Sequence, residues 1–432
     1  MACPLYIKNT SELNYSRSIF IIVLIILCKI SLAQAPGKDF KDVMRKWKND
    51  TTLIPVAEIN IGKTYANLLP IVGYAPANGF VLGSAVSLIR LFGKPPTTLS
   101  SAMVNAQITS KRQIIVNARS KVYLNDNKWF LQGEWRFLIF KQPTYGLGII
   151  SPKDQDIVIG VNNLPQTLDS IAEPLSYNLI RIYEEAVRQL FHSHYYAGIG
   201  ICYDHHFNIV DERLDTLKSS PDYFISSHYA YSLKNNFDPK GYHVAGMKVT
   251  LLTDTRDNLI NCYKGYYVSV SMLHNQKLNR DSRNSDQLLY DARYYLDLSK
   301  SKPGKVIAFW SWGNFLLAGT LPYLALPSIG WDTYNRSGRG YIQGRYRGLN
   351  FLYNEVEYRF PISKNGFLGG VAFVNATNAN DYGENIFDKT ALGMGAGLRL
   401  KLDKRSRTNI TIDLGYGADR SSGIYINMQE MF

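Results

Sequence analysis

The sequence predicts an all-β protein, a transmembrane antiparallel β-barrel of about 16 strands. Three observations lead to this prediction: segments that are apolar at every second position, an export signal at the N-terminus, and an aromatic final residue, Phe432. A strand places alternate side chains on opposite faces, which suits a wall with lipid on one side and water on the other. From Leu392 to Leu402 every even position is apolar, and every odd position is glycine, arginine or lysine. A helix would scatter both sets around its surface, which leaves a large soluble β protein as the alternative.

Residues 1–35 are predicted to be a signal peptide. Arg17 precedes the apolar run Ile19–Leu27, and Ser31–Ala35 supplies the small residues that cleavage requires. The apolar run is about half of the roughly 20 residues that a helix needs to span a bilayer. We therefore expect export and a final location in the bacterial outer membrane.

The amino-acid composition indicates which partners this protein can bind. The net charge is +13, which would suit nucleic acid in a cytoplasmic protein. In an exported chain we expect no nucleic acid, and outer-membrane lipid, including lipopolysaccharide, supplies the opposite charge. The 30 tyrosines suit the aromatic belts of membrane barrels. Cys202 and Cys262 remain after cleavage, so no disulfide framework is expected.

The alternating segments assign residues 67–432 to the barrel and 36–66 to a short periplasmic segment. Within that segment, Asp39 to Trp47 could form an amphipathic helix on the inner membrane surface or in the barrel mouth. Tyr177 to Leu190 fits either a strand or a helical turn. If the first strand runs outward, the inner turns are short and the long outer loops fall at 142–176, 207–241 and 319–349. Strand centres are expected near residues 72, 85, 104, 117, 134, 183, 200, 248, 267, 293, 311, 355, 371, 397, 411 and 427.

Four short motifs follow one another in the second half of the chain. They are Asp254–Asn258 with the following Lys264-Gly265-Tyr266, Gly338–Tyr341, Glu355–Pro361 and Gly369–Asn375. In this order they resemble the BamA/TamA family of outer-membrane assembly and translocation barrels, the bacterial surface antigen type, over roughly residues 60–432. The resemblance implies that the sixth outer loop folds back into the lumen and that its arginine pairs with an acidic side chain of the inner wall.

On this reading the loop is held by Arg339, Gly340 and Tyr341. Strand alternation turns Glu357 inward, so Arg339 with Glu357 is the predicted pair. Asn375 stands where relatives usually have an inward aspartate, and Gly338 stands where they have an aliphatic residue, so we expect a weaker lock that depends less on pH. The alternative is that Arg339 lies in an exposed outer loop.

Two other groups of polar residues could be mistaken for sites of chemistry. Asp254, Arg256 and Asp257 are predicted to form a turn network, with the aspartates capping amides and Arg256 bridging them. The remaining candidates are histidines, whose spacing fixes no third metal ligand, so a metal site stays the less favoured alternative. They are His192, His194, His205 and His206. We expect no cofactor, no metal and no enzymatic activity, since no nucleophile, base and oxyanion donors converge.

The resemblance leaves the function open, because assembly relatives carry periplasmic POTRA modules of about 75 residues, and about 30 residues separate the predicted cleavage site from the first strand here. A separate periplasmic or outer-membrane partner would then have to capture clients. The first strand, Leu68 to Pro76, contains Pro70 and Gly73, so the seam with the last strand, Ile424 to Phe432, should be weak and able to accept an incoming strand.

Two alternatives stay open at this point. In the first, the prolines of the first strand mark the two ends of a short strand. The second functional hypothesis is a channel plugged by the 319–349 loop, or a surface barrel that docks other proteins without insertase activity.

Overall fold

The fold is described from a computed structural model, which describes residues 39–47, 60–75, 77–94, 97–124, 126–149, 172–191, 194–279, 282–299, 304–404 and 407–432. The predicted signal peptide, residues 1–35, lies outside this range, as do Pro76 and His192. A single antiparallel sheet of 16 strands dominates the structure, and each strand pairs with its neighbour in sequence. The predicted all-β antiparallel architecture is confirmed.

The strands are β1 (Thr64–Ala75), β2 (Gly79–Arg90), β3 (Ser100–Thr109), β4 (Ile114–Leu124), β5 (Trp129–Thr144), β6 (Glu173–Leu190), β7 (Tyr195–Asp211), β8 (Tyr242–Asp254), β9 (Gly265–Asn275), β10 (Ser285–Asp297), β11 (Val306–Gly319), β12 (Asn350–Pro361), β13 (Leu368–Ala379), β14 (Ala391–Asp403), β15 (Thr408–Gly417) and β16 (Ser422–Met428). Every predicted strand centre falls within its strand.

Alternation of side chains explains the two faces of the sheet. On β14, Leu392 and Met394 are 57% and 58% exposed, whereas Arg399 is buried. On β12, Val356 and Tyr358 point outward, whereas Glu355, Glu357 and Arg359 are buried inside. The sheet thus carries its apolar residues on the outside and many of its charges on the inside, the reverse of a soluble protein.

The segment Tyr177–Leu190 lies within β6 and is a strand, not a helix. It pairs with β5 on one side and with β7 on the other, and this pairing satisfies its backbone groups in a way that a helical turn in the wall would prevent. Within the described ranges, no helix is long and apolar enough to cross a membrane.

The connections differ in length at the two ends of the sheet. The longest described outer connections are 212–241 and 320–349, and the first contains helix α2 (Ser227–Lys234). Ser226 caps this helix by accepting from the Tyr229 amide at 3.1 Å, and Tyr231 donates to the Leu321 carbonyl at 2.9 Å. Helix α2 therefore packs over the outer mouth, against the start of the 320–349 loop. The opposite end carries the shorter turns, as expected.

Helix α1 (Phe40–Trp47) lies at the inner end of the sheet. The Asp39 and Asp42 carboxylates accept from each other's amides at 3.0 and 3.1 Å, which fixes the first turn of the helix. Both also bind Lys404, which follows β14: Asp39 accepts from its amide at 3.1 Å and Asp42 from its Nζ at 2.7 Å. Of the two predicted positions for this helix, its contacts favour the barrel mouth.

Replacing Val249 by arginine tests whether the outer face lies in lipid. Val249 is in the middle of β8 and 59% exposed. A charge at mid-bilayer should lower the free energy of unfolding by about 2–4 kcal/mol, measured by urea unfolding in lipid vesicles. Val249→Phe is the control and should change it little. Equal stability of the two variants would contradict a lipid-facing position.

Candidate functional site

Loop six, residues 320–349 between β11 and β12, turns back into the lumen. Its short 3-10 turn, Tyr323–Ala325, is followed by residues that are largely buried against the inner wall. The backbone of Ile329 exchanges hydrogen bonds with Tyr346 and Gly344, so the loop is held as a compact hairpin-like insertion. The predicted inward fold of outer loop six is therefore observed.

Arg339 lies at the centre of the loop contacts and is 1% exposed. Its Nη1 donates to Asp413 at 2.8 Å, and its Nη2 donates to Glu355 at 2.5 Å and to Glu357. The guanidinium also lies 3.5 Å from the centre of the Phe373 ring. Burial by itself lowers the pKa of Arg339, yet the three carboxylates raise it well above its usual value, so the side chain is held as a cation.

Arg359 and Arg399 extend these contacts into a network. Arg359 donates to Glu357 at 2.7 Å, and Arg399 donates to Asp413 at 2.5 Å. Each carboxylate that faces Arg339 thus shares its charge with another arginine or, in the case of Glu355, accepts from the Tyr353 hydroxyl. A buried carboxylate is tolerated only when it is paired and hydrogen-bonded in this way. We call the set Arg339, Glu355, Glu357, Arg359, Arg399 and Asp413 the loop lock.

The structure brings Arg339 and Glu357 together and adds two partners that the sequence analysis did not name. Glu355 lies two residues before Glu357 on the same face of β12 but was not assigned to Arg339, and Asp413 was not singled out. The alternation of β15 does indicate that Asp413 points inward, on the same face as Gly415. Without the register of β15 against β14, however, that position could not be placed beside Arg339.

Asn375 serves a different purpose from the one expected. Its Nδ2 donates to the Arg339 main-chain carbonyl at 2.9 Å, so it holds the backbone of the loop and not the guanidinium. The expectation of a weak lock rested on the missing charge at this position. Asp413 and Glu355 supply the negative charge to Arg339 from β15 and β12. Arg339 therefore has the carboxylate partners that the expectation of a weak lock assumed to be missing.

The two glycines beside Arg339 are required by the backbone. Gly338 has a φ of +86°, and a Cβ there would lie 2.2 Å from the Ile329 side chain. Gly340 has a φ of +109°, and its Cβ would lie 2.7 Å from the Tyr416 carbonyl. An aliphatic residue at position 338 would be strained and would clash, which explains this departure from the family pattern.

Tyr341 fastens loop six to the last three strands. Its hydroxyl donates to the Leu392 carbonyl at 2.5 Å and accepts from the Ala418 amide at 2.8 Å. Tyr425 of β16 donates to the Tyr341 carbonyl at 2.8 Å and accepts from the Gly340 amide at 3.1 Å. The tip of loop six is thereby bonded directly to the final strand.

The C-terminus lies in the lumen, which corrects the prediction that Phe432 belongs to the seam. β16 ends at Met428, and Gln429, with a φ of +78°, turns the chain inward. The Phe432 ring lies 5.3 Å from Trp310 and 6.1 Å from Tyr295, and Arg359 donates to a terminal oxygen of Phe432 at 2.9 Å. The aromatic pocket and the Arg359 guanidinium thus stabilise Phe432 inside the lumen.

Glu430 joins the C-terminal tail, residues 429–432, to the loop lock. Its carboxylate accepts from Arg399 at 2.7 Å and from Asn409 at 2.6 Å. Arg336 of loop six donates to the main-chain carbonyls of Glu430 and Met428. The last strand, its tail and loop six are therefore connected by charged hydrogen bonds.

The seam between β1 and β16 has no backbone ladder in the described part of the chain, whereas the other neighbouring strands are paired. The two strands still lie side by side, since a Cβ added at Gly73 would be 3.2 Å from the Ile426 carbonyl. Pro70 lies inside β1, opposite Ser84 of β2, so it does not mark a strand end. As a proline in an edge strand, it has no N–H donor to offer a neighbouring strand.

The periplasmic turn between β8 and β9 forms a network that differs in detail from the prediction. Arg256 binds Asp254 through two bonds of 2.6 and 2.9 Å and does not bridge to Asp257. Asp257 instead accepts from the Tyr263 amide at 2.9 Å and from Arg407 at 2.6 Å. Partial burial raises the pKa of Asp257, but Arg407 and the Tyr263 amide hold it below its usual value.

The histidines are dispersed by the fold. His205 stacks on His243 on the outer face, with 4.0 Å between ring centres, whereas His206 is buried in the lumen between Tyr177 and Tyr242. Neighbours in a strand point to opposite faces, which separates the two. In the residues for which coordinates are described, no group of three or more His, Cys, Asp or Glu side chains could hold a metal ion.

Solved structures show the same architecture. BamA from Haemophilus ducreyi lacking POTRA domains 1–3 aligns over 85% of this chain and 70% of its own, with a TM-score of 0.52 and 12% identity. CdiB from Acinetobacter baumannii aligns with a TM-score of 0.50 and 14% identity, and CdiB from Escherichia coli with 0.51 and 10%. The chain has the barrel fold of BamA and CdiB.

The fold that the resemblance implied is confirmed, and it is a fold of bacterial outer-membrane barrels, in agreement with the predicted location. The chain covers 85% of its own length in the CdiB alignments but spans only 60% and 62% of those two structures. No protein-family model matches the sequence, and no curated protein matches it.

Replacing Arg339 by alanine should release loop six. The change leaves Glu355, Glu357 and Asp413 buried without their shared cation, which should lower the free energy of unfolding by about 3–5 kcal/mol. Limited proteolysis should then cut within residues 320–349. Arg188→Ala is the control, because Arg188 lies on the outer wall over Trp129. A protease-resistant loop in Arg339→Ala would contradict the central position of this residue.

Replacing Phe432 by alanine should loosen the last strand. Removal of a buried phenylalanine ring costs about 3–5 kcal/mol, and the tail contributes the contacts that hold β16 from inside. Amide hydrogen exchange over residues 422–428 should become faster, while exchange in β8 should not change. Phe387→Ala, at an outer position that is 68% exposed, should leave both rates unaltered. Unchanged exchange in β16 would refute the anchoring role of the tail.

Proposed function

We propose that this chain is an outer-membrane barrel that aids the insertion or export of other outer-membrane proteins. The proposal rests mainly on one observation: β1 and β16 lie side by side without a backbone ladder, whereas the strands elsewhere in the described sheet are continuously paired. Unpaired N–H and C=O groups at such an edge can bind an incoming strand by β-augmentation. The barrel fold shared with BamA and CdiB supports the same reading.

Contacts of the last strand and its tail with the lumen favour a seam that opens without collapse of the barrel. Tyr425, Glu430 and Phe432 connect the last strand to the lumen through side chains, so β16 stays anchored when its edge is free. An insertion site needs this combination, since an edge without anchoring would unfold or aggregate. The proposed role includes no catalytic step, cofactor or metal.

Two classes of partner are part of the proposal. Outer-membrane lipid, including lipopolysaccharide, would surround the exposed apolar wall, and local thinning beside the seam would lower the barrier to insertion. A separate periplasmic or outer-membrane protein would deliver the client strands. The plugged channel or surface docking barrel is the competing function, and the same experiment decides between them.

A cysteine pair across the seam tests the proposal. Val72→Cys with Ile426→Cys places two thiols on the outer face of the adjoining edge strands, in a background with Cys202→Ser and Cys262→Ser. Oxidation should abolish assembly of other outer-membrane proteins in cells that carry only this variant, and reduction should restore it.

Leu68→Cys with Val86→Cys is the matched control, because these residues are paired across the continuous β1–β2 ladder. Oxidation of this pair should have no effect on assembly. If the locked seam is harmless while removal of residues 212–241 abolishes function, the docking function is favoured. If the locked seam changes only ion conductance, the channel function is favoured.

A further inference from the structure

A cavity of about 300 Å³ lies in the half of the lumen away from the loop lock. The inner faces of strands from β4 to β11 form one side, and residues 321–334 of loop six form the other. Trp312 and Trp331 contribute to its wall, together with polar and charged side chains of several strands. None of the loop-lock residues is among the residues that line this cavity.

Four cations surround the ring of Tyr334 at the edge of the cavity. Arg119 lies 5.1 Å from the ring centre, and Lys121, Arg293 and Arg336 each lie 5.7 Å from it. Lys121 also bonds to the Tyr334 hydroxyl. Like charges this close repel one another unless acidic groups or a bound anion offset them.

The carboxylates of the cavity wall are already engaged. Asp332 accepts from the amides of loop residues Tyr334, Arg336 and Ser337. Four others each pair with a basic side chain: Glu134 with Arg136, Asp204 with Arg181 at 2.7 Å, Glu185 with Lys248 at 3.2 Å, and Asp291 with Arg293 at 2.6 Å. The sixth, Glu184, bonds to Trp135. No carboxylate of the wall pairs with Arg119 or Lys121. The nearest acidic group to these cations is the Tyr334 hydroxyl, whose pKa is raised by burial but lowered by the cations around it to about 7.

Arg119 and Lys121 form no ion pair within the ranges that the structure describes. The Arg119 Nε atom is buried and has no hydrogen-bond partner. Arg336 donates to the main-chain carbonyls of Met428 and Glu430, which carry no net charge. Since β4 turns Arg119 and Lys121 to the same face, both line the cavity.

We infer that this cavity binds an oxyanion of the phosphate or sulfate class, held by Arg119 and Lys121. A guanidinium presents a planar fork of donors that matches such an anion, and an ammonium group adds a point charge beside it. Both cations are partly buried in the lumen and lose part of their hydration, and an anion that binds them offsets that cost. The cavity volume accommodates a phosphate ion with its remaining water.

The test uses the full chain in detergent micelles and inorganic phosphate as the probe. Phosphate is titrated at constant ionic strength against chloride, followed by tryptophan fluorescence, because Trp312 and Trp331 line the cavity, and by equilibrium dialysis with radiolabelled phosphate. Binding should be saturable. Arg119→Gln with Lys121→Gln should raise the apparent dissociation constant at least about tenfold, whereas Arg119→Lys alone should keep saturable binding.

Arg90→Gln with Lys141→Gln is the matched control, since it removes the same charge from the outer face of the wall. Its phosphate binding should equal that of the unaltered chain. Heat-modifiable gel migration shows that each variant forms a folded barrel. The inference is overturned if the unaltered chain binds no phosphate above its response to chloride, or if the control pair weakens binding as much as the Arg119 and Lys121 pair.

Discussion

Hydrogen bonding of the backbone is the constraint on which the rest of this structure depends. In a bilayer each unpaired N–H or C=O group costs several kcal/mol, so a wall of strands is stable only when neighbours pair along their length. Ladders between strands adjacent in sequence meet this demand from β1 to β16 in the described sheet. The junction of the two terminal strands is where this pairing stops, and the functional features lie around it.

Side chains replace the missing ladder at that junction. β16 is short, and it is held from inside by Tyr425, Glu430 and Phe432, which reach loop six, Arg399 and Arg359. Such contacts fix the position of a strand but leave its outer edge free. The backbone edge and the anchoring contacts are therefore separated, which lets the edge change partners while the strand stays in place.

The lumen is charged, and its charges are distributed unevenly. Near the loop lock, four carboxylates, Glu355, Glu357, Asp413 and Glu430, share three arginines, so each acid is paired in a low-dielectric interior. Across the lumen, around Tyr334, cations exceed the acids that pair with them. Loop six contacts both regions, through Arg339 in the first and Tyr334 in the second. A ligand bound at the second region would act on the same loop that holds the last strand.

The sequence by itself determined the strands, their number and the two faces of the wall, because alternation with a period of two is a local property of the chain. It also predicted that Arg339 and Glu357 meet, since the motifs around them and the parity of β12 were both readable. Asp413 and Glu430 could not be assigned, because their contacts depend on the register of strands far apart in sequence.

Tertiary structure alone decided the course of the C-terminus. As a final aromatic residue, Phe432 fits a lipid-facing strand end equally well, and only the aromatic pocket of Trp310 and Tyr295 with Arg359 draws it inward. The same holds for Asn375, whose amide bonds to a loop backbone that no local pattern could place beside it. Local periodicity fixes which face a side chain takes, whereas the partner it meets on that face depends on how the whole sheet curves.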